Sequence, residues 1–253
     1  MDNKKYKKNY LSNVLFNLDF TTLSDYNSEK LKEFQGLIKK EFPIVEEVKG
    51  VEIIHKLEKA KLPESQTSEI LIWHFLDKTK KRIVSFQPDK IVLEFREYNH
   101  FEEYFKMIEL VIKSLFTLFP LIVSTRVGLR YINQIKLEDA SPFEWNNQLN
   151  KSLLVSMNFM PDKKDMSRHI TLIESNKGDY SLRFQYGIAN SLYPSPIMKK
   201  EFILDYDCST FESFGKPEEI LDKVKEFNVV IDDMFERSIE DGLRGIMDVV
   251  KDE

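Results

Sequence analysis

One cysteine, Cys208, stands in a chain of 253 residues. A lone thiol excludes an internal disulfide and any Cys-x-x-Cys metal site, and it suits a reducing compartment. Glycine is scarce too, at 8 residues, which leaves little material for a Gly-rich phosphate loop; P-loop, GxSxG and HExxH motifs are all missing. The four histidines, His55, His74, His100 and His169, fall on separate segments without metal-ligand spacing. Apolar stretches are too short or too interrupted to span a bilayer, and the N-terminal lysines lead into Asn13, Asn17 and Asp19 instead of an apolar signal core. Positive charge is not in excess either. Against 42 acidic residues stand 37 basic ones, a net charge of −5, so the global field does not favour nucleic acid. These absences point to a soluble, cytoplasmic protein with no membrane segment.

What is present is a core. Hydrophobic residues make up 42% of the chain and aromatics 12%, with 19 Phe, a balance that suits long helices on an aromatic-packed sheet. The one basic run, Lys4-Lys5-Tyr6-Lys7-Lys8, reads as a solvated tail. Residues 13–20 alternate as a strand. A helix follows, with Ser28 as cap, Leu31, Phe34, Ile38 and Phe42 at helical spacing, and Pro43 as stop. Strands are expected over 50–58, 69–76 and 82–96; the middle one is apolar on both faces and takes an interior position, while Gln87–Lys90 kinks the third. Asn99 and Glu102 then form a capping box for a helix whose stripe runs from Phe101 to Phe119, closed by Pro120.

The second half replays this order. A strand over 121–137 precedes a helix starting at Ser141-Pro142-Phe143-Glu144; strands follow at 168–175, 179–189 and 200–208, with a tight turn at Asn176–Asp179. A last helix runs from Pro217 towards Val250 and buries Ile220, Val224, Phe227, Ile231, Met234, Phe235 and Ile246, with Gly242 and Gly245 weakening its final turns. The expectation is an α+β fold of two pseudo-repeated strand-helix-three-strand-helix halves, 1–120 and 121–253, joined as one structural unit. Their strands form a curved, largely antiparallel sheet with long helices on one face.

The segment RVGLRYINQI, residues 126–135, carries the most pointed signal. Odd positions 121–135 form a core-facing set: Leu121, Val123, Thr125, Val127, Leu129, Tyr131, Asn133 and Ile135. Arg126 and Arg130 share the opposite face, about 13 Å apart at roughly 3.3 Å per residue, and Gly128 between them leaves room for another group to approach. The same alternation puts Arg96, Arg183, Glu94, Asp205 and Asp207 on one side of their strands. Three arrangements are compatible with this set. It is a cross-strand charge ladder; or an anion site for a nucleotide or other phosphate-bearing ligand, built from Arg96, Arg126, Gly128, Arg130 and Arg183 with Asp205 and Asp207; or a metal-assisted centre using Asp205, Asp207 and Glu94. Strand order decides among them. His74, inside an apolar strand, reads as a satisfied core histidine, and Cys208, alternating with aromatics, as a buried inert thiol. The loop 190–200 reads as a plain connection.

RVGLRYIN at 126–133, FILDYD at 202–207 and FNVVIDDMFERSIEDGLRGIM at 227–247 together resemble a sporadically distributed family of conserved hypothetical bacterial proteins. The resemblance spans essentially the whole chain and is most specific in the GLRYIN strand. It supplies no catalytic residue or metal ligand to carry over; patchy occurrence implies a mobile or defence-associated gene set, antiviral defence among them. The first functional expectation is therefore a non-enzymatic interaction protein that acts through a protein partner or as a homo-oligomer. The alternative is binding, with or without hydrolysis, of a nucleotide or phosphate-bearing ligand on the arginine face. A third, single-stranded nucleic acid on an open sheet, is opposed by the net charge and by Asp205 and Asp207. No cofactor, metal or catalytic residue is assigned.

Overall fold

A computed structural model describes residues 6–56, 64–97, 100–138 and 141–248. Its strands are β1 (Leu11–Phe20), β2 (Ile44–Lys56), β3 (Glu64–Leu76), β4 (Arg82–Gln87), β5 (Lys90–Phe95), β6 (Ser124–Leu137), β7 (His169–Asn176), β8 (Ser181–Ile188) and β9 (Lys200–Thr210). Four α-helices accompany them: α1 (Ser28–Ile38), α2 (Phe101–Leu118), α3 (Pro217–Ser238) and α4 (Asp241–Met247). All nine strands join one open sheet in the order β2-β3-β4-β5-β1-β6-β9-β8-β7, and every neighbouring pair is antiparallel. The fold is thus α+β. Among the described residues, no helix is long and apolar enough to cross a membrane.

Alternation explains the core. Val14, Phe16 and Leu18 of β1 are fully buried, as are Val127, Leu129 and Ile135 of β6 and Tyr206 and Cys208 of β9. The first helix seats Leu31, Phe34 and Ile38 inward, and Phe42 beyond it is buried as well. Phe86 collects ring contacts from Phe20, Tyr26, Phe34 and Phe119, so one side chain ties β1, β4, α1 and the end of α2 together. At the other end Phe184 stacks on Tyr206 at 4.7 Å between ring centroids. Polar groups tie α2, α3 and two central strands together: Asn228 of α3 accepts from the hydroxyls of Tyr104 in α2 and Tyr131 in β6, and Tyr206 of β9 donates to Ser238 of α3 at 2.8 Å.

Several sequence expectations need correction. Asn27, not Ser28, caps α1, its side chain accepting from the amides of Glu29 and Lys30. The capping box at Asn99 lies outside the described residues; the residue before α2 is His100, which makes no side-chain cap bond. Residues 57 and 58 of the second expected strand also lie outside them. The stretch 82–96 is two strands, because Pro88-Asp89 supplies a turn that pairs Gln87 with Lys90. Strand β3 is interior, between β2 and β4, yet Leu71 on it is exposed.

In β6 the core-facing set begins only at Val127. The β1–β6 register shifts between Asp19 and Phe20, which face Arg126 and Ser124, so Thr125 is an inserted residue and the alternation inverts below it. Leu121 is accordingly 91% exposed and Ile122 buried. No α-helix forms at Ser141. Asn147 adopts φ 63, outside helical space, and the segment anchors instead through fully buried Trp145 and short 3₁₀ turns at Lys151–Leu153, Val155–Phe159 and Lys163–Asp165.

The final helix breaks before its glycines. Ile239 is extended and bridges to Leu149, and α4 restarts at Asp241, leaving Ile246 partly exposed. The described part of the basic run is docked through its backbone while Lys7 and Lys8 stay exposed: the Lys7 and Lys8 amides donate to the carbonyls of Asp248 and Met247, and Tyr6 donates to Glu236.

Candidate functional site

The sheet face opposite the core carries the arginines, and register fixes their neighbours. One cross-strand row reads Glu94, Leu15, Arg130, Asp207, Arg183, Glu174 across β5, β1, β6, β9, β8 and β7. Acid and base alternate in it except at Leu15. The ion pairs on β6 run diagonally. Arg130 reaches past its direct partner Asp207 to Asp205, donating from Nε at 2.8 Å and Nη2 at 2.6 Å; this is the bidentate geometry a guanidinium fork favours. Asp205 is buried and Arg130 partly exposed. Arg126 lies 3.8 Å from Asp207. Arg183 lies 3.8 Å from Glu174, and Arg96, past the end of β5, forks onto Glu94 at 3.0 and 3.1 Å.

Each of the four arginines therefore has a carboxylate within ion-pair distance. Asp207 sits among three of them, Arg126, Arg130 and Arg183. Burial nevertheless raises its carboxyl above the usual range, against the lowering pull of those arginines. An incoming anion would meet a place that this carboxylate already fills. Gly128 also turns out not to be open. It is buried, and a Cβ built on it would meet Nη1 and Nη2 of Arg126 at 3.2 Å; the group that uses the missing side chain is the arginine's own guanidinium. Metal-assisted chemistry needs carboxylates that converge on one ion. Glu94 stands three strand spacings from Asp207 in the shared row, about 14 Å at roughly 4.8 Å per strand, so these acids cannot share a cation. Among the described residues no group of three or more His, Cys, Asp or Glu could hold a metal ion.

Cys208 is fully buried, and burial beside Asp207 and Glu226 pushes its thiol up to about 12. It is a core residue with no accessible thiolate. His74 meets Ser85 Oγ at 3.3 Å through Nδ1.

Sequence patterning did not single out a second pair, Ser156 and His169, whose Oγ and Nε2 are 3.0 Å apart. It has the outline of a nucleophile and base, but the tautomer argues otherwise. His169 Nδ1 is buried without a partner, and a buried unpaired N–H is a rarer defect than a buried unpaired acceptor. The proton thus belongs on Nε2, where it donates to Ser156, and a donor cannot take the serine proton. Nor does an acid orient the ring, as a triad requires.

The feature that spacing arguments missed altogether is an edge. Among the described residues, strand β7 pairs only with β8 and ends the sheet. Lys177 N donates to Tyr180 O at the hairpin turn. Counting back through the alternating pairs turns the amides and carbonyls of Ile170, Leu172 and Glu174 away from β8. Beside this open backbone Ile170, Leu172 and Ile173 are 37%, 46% and 48% exposed. The Ser156–His169 bond ties the Val155–Phe159 turn to the start of β7, and that turn adds Val155 and Phe159, the latter 87% exposed. The opposite edge is more charged: β2 carries exposed Glu46, Glu47 and Lys49 around an exposed Val48, followed by Gly50. Charges of that kind blunt an edge; β7, HITLIESN, contains neither Lys nor Pro and carries one exposed charge, Glu174.

No family model and no curated protein sequence matches the chain.

Proposed function

We propose that the chain is a non-enzymatic interaction protein that works through a protein partner, and that it belongs to the bacterial, defence-associated type its sequence resembles. The observation that carries the reading is the contrast between the two sheet edges. A β2 with three exposed charges and a β7 with one, beside three exposed apolar side chains, are what a protein needs when it accepts an added strand on one side only. The architecture supports this in a second way. Strand order runs outward from β1 through β5, β4 and β3, and outward from β6 through β9, β8 and β7. On this reading the halves are two related units with the long helices on one face, and the extra strand β2 caps one unit while the other ends bare.

The test uses the full chain and Leu172→Lys, a change at an exposed site that leaves the core alone. Immobilised wild-type protein retains a specific bacterial protein, or a second copy of itself, and the lysine variant loses it. Equal retention by both forms sinks the proposal.

One observation favours a second reading, a phosphate-bearing ligand at Arg126. That pair is looser than the Arg130 fork, at 3.8 Å, so a phosphate could exchange for Asp207. Titration calorimetry with ATP and inorganic phosphate checks it: heat that disappears in Arg126→Ala supports the reading, and no heat with wild type ends it.

A further inference from the structure

We infer that the occupant of the β7 edge is a second copy of this chain, paired antiparallel about a two-fold axis at Thr171. The inference rests on the interaction reading above and specifies its partner.

An isologous strand pair sets residue i against residue j of the other copy with a fixed sum. Backbone geometry restricts the choice, because outward-facing amides must meet outward-facing amides; here these belong to the even-numbered residues Ile170, Leu172 and Glu174. Centring the axis on Leu172 would set apolar Ile170 against the carboxylate of Glu174. Centring it on Thr171 sets Ile170 against the second copy's Leu172, and Arg168 against its Glu174, each twice by symmetry. Both charged side chains are exposed, so opposite charges meet at the two ends of the ladder and apolar pairs meet in its middle.

The groups already placed there agree with this register. Arg168 sits over the Tyr193 ring, 3.9 Å from its centroid, and donates Nε to Ala189 O at 3.3 Å, contacts that hold the guanidinium beside the start of β7. On the other face of the strand the register brings the second copy's exposed Ile173 to His169. That residue anchors the turn bearing Val155 and Phe159, so the exposed apolar groups gain contacts that the isolated chain does not give them. Thr171 meets its own counterpart as a non-hydrogen-bonded pair, the closely spaced kind, about 4.5 Å between Cα atoms.

The experiment is site-specific. Cys208 is buried, so a new surface thiol is the one that reacts. Thr171→Cys forms a covalent dimer under mild oxidation of the native protein. Ser175→Cys, four residues along the same strand, does not, because its counterpart in this register is residue 167. In sedimentation equilibrium the wild type is a dimer. Arg168→Glu and Glu174→Arg each weaken it about tenfold by turning two attractions into repulsions, and the double exchange restores it.

A monomeric wild type, or equal cross-linking at 171 and 175, overturns the inference. The broader reading has a separate outcome. A monomer whose capture of a different protein is abolished by Leu172→Lys refutes the second copy and leaves the docking edge standing. A monomer with no Leu172-dependent partner refutes both.

Discussion

Arg130 bypasses Asp207, the residue directly across from it, and closes a two-bond fork on Asp205 two residues along the neighbouring strand. The two aspartates are consequently unequal. Asp205 is held by a matched guanidinium. Asp207 is surrounded by arginines but bonded closely by none, and its burial outweighs their attraction.

This inequality predicts opposite responses to the same substitution. Asp205→Asn removes the charged half of the fork and leaves Arg130 facing an amide; a loss of about 1–3 kcal/mol is expected, below the value for a fully buried pair because Arg130 is partly solvated. Asp207→Asn is neutral or mildly stabilising at pH 7, since it removes a carboxylate whose folded form resists ionisation. The sign follows from linkage. A carboxyl raised on folding counts against the folded state as pH rises past the ordinary carboxylate value of about 3.9, the penalty is full above its folded pKa, and it vanishes below the ordinary value. Urea titrations at pH 7 and pH 3.5 check this: the advantage of Asp207→Asn is present at the first and absent at the second. Equal destabilisation by the two variants at pH 7 contradicts the assignment.

His169 predicts a different pH limb. Burial lowers its pKa, so the unfolded chain takes up a proton before the folded one does. Stability is full above the ordinary histidine value of about 6.5 and falls as pH drops through it towards the folded pKa. His169→Gln cannot titrate and loses that limb. Melting temperatures measured from pH 7.5 to 5 converge between the two proteins at the acidic end; parallel curves would show that His169 does not titrate between these pH values. Protonation places the second proton on buried, unpartnered Nδ1 and leaves the Nε2–H bond to Ser156 in place, so the cost of charging His169 lies in its burial.

Local periodicity made the strands legible, and it failed where chain chemistry of another kind intervened. The two faces of β6 could be read from Val127 onward because side chains alternate with period two. Thr125 breaks that rule as a bulge, which depends on how β1 lies beside it and has no signature in the segment itself. The helix expected at Ser141 had a good cap, but Asn147 in the left-handed region and the burial of Trp145 redirect the chain. Continuity of apolar spacing past Ser238 concealed the break at Ile239, which pairs with a residue ninety positions away. The arginine face was visible as a set of residues, and its wiring was not, since the choice between Asp205 and Asp207 is made by register. The β7 edge was invisible for the same reason: only strand order distinguishes the strand that ends a sheet from one inside it.

Gly187 offers the sharpest test of how β7 is held. It adopts φ +136, and a Cβ there would stand 2.1 Å from the carbonyl oxygen of His169 on the facing strand. Backbone on both sides leaves nothing flexible to yield. Gly178, in the β7–β8 turn, has φ +95 but no atom within 4 Å of its Cβ position, so it carries the conformational penalty alone. Gly178→Ala therefore costs about 1–2 kcal/mol, the price of a left-handed alanine. Gly187→Ala adds steric displacement of β7 from β8, about 1–3 kcal/mol beyond it, and hydrogen exchange should quicken in β7 and β8 but not in β1 or β5. If the two alanine variants unfold at the same denaturant concentration, the close approach of β8 to His169 is not what fixes the strand.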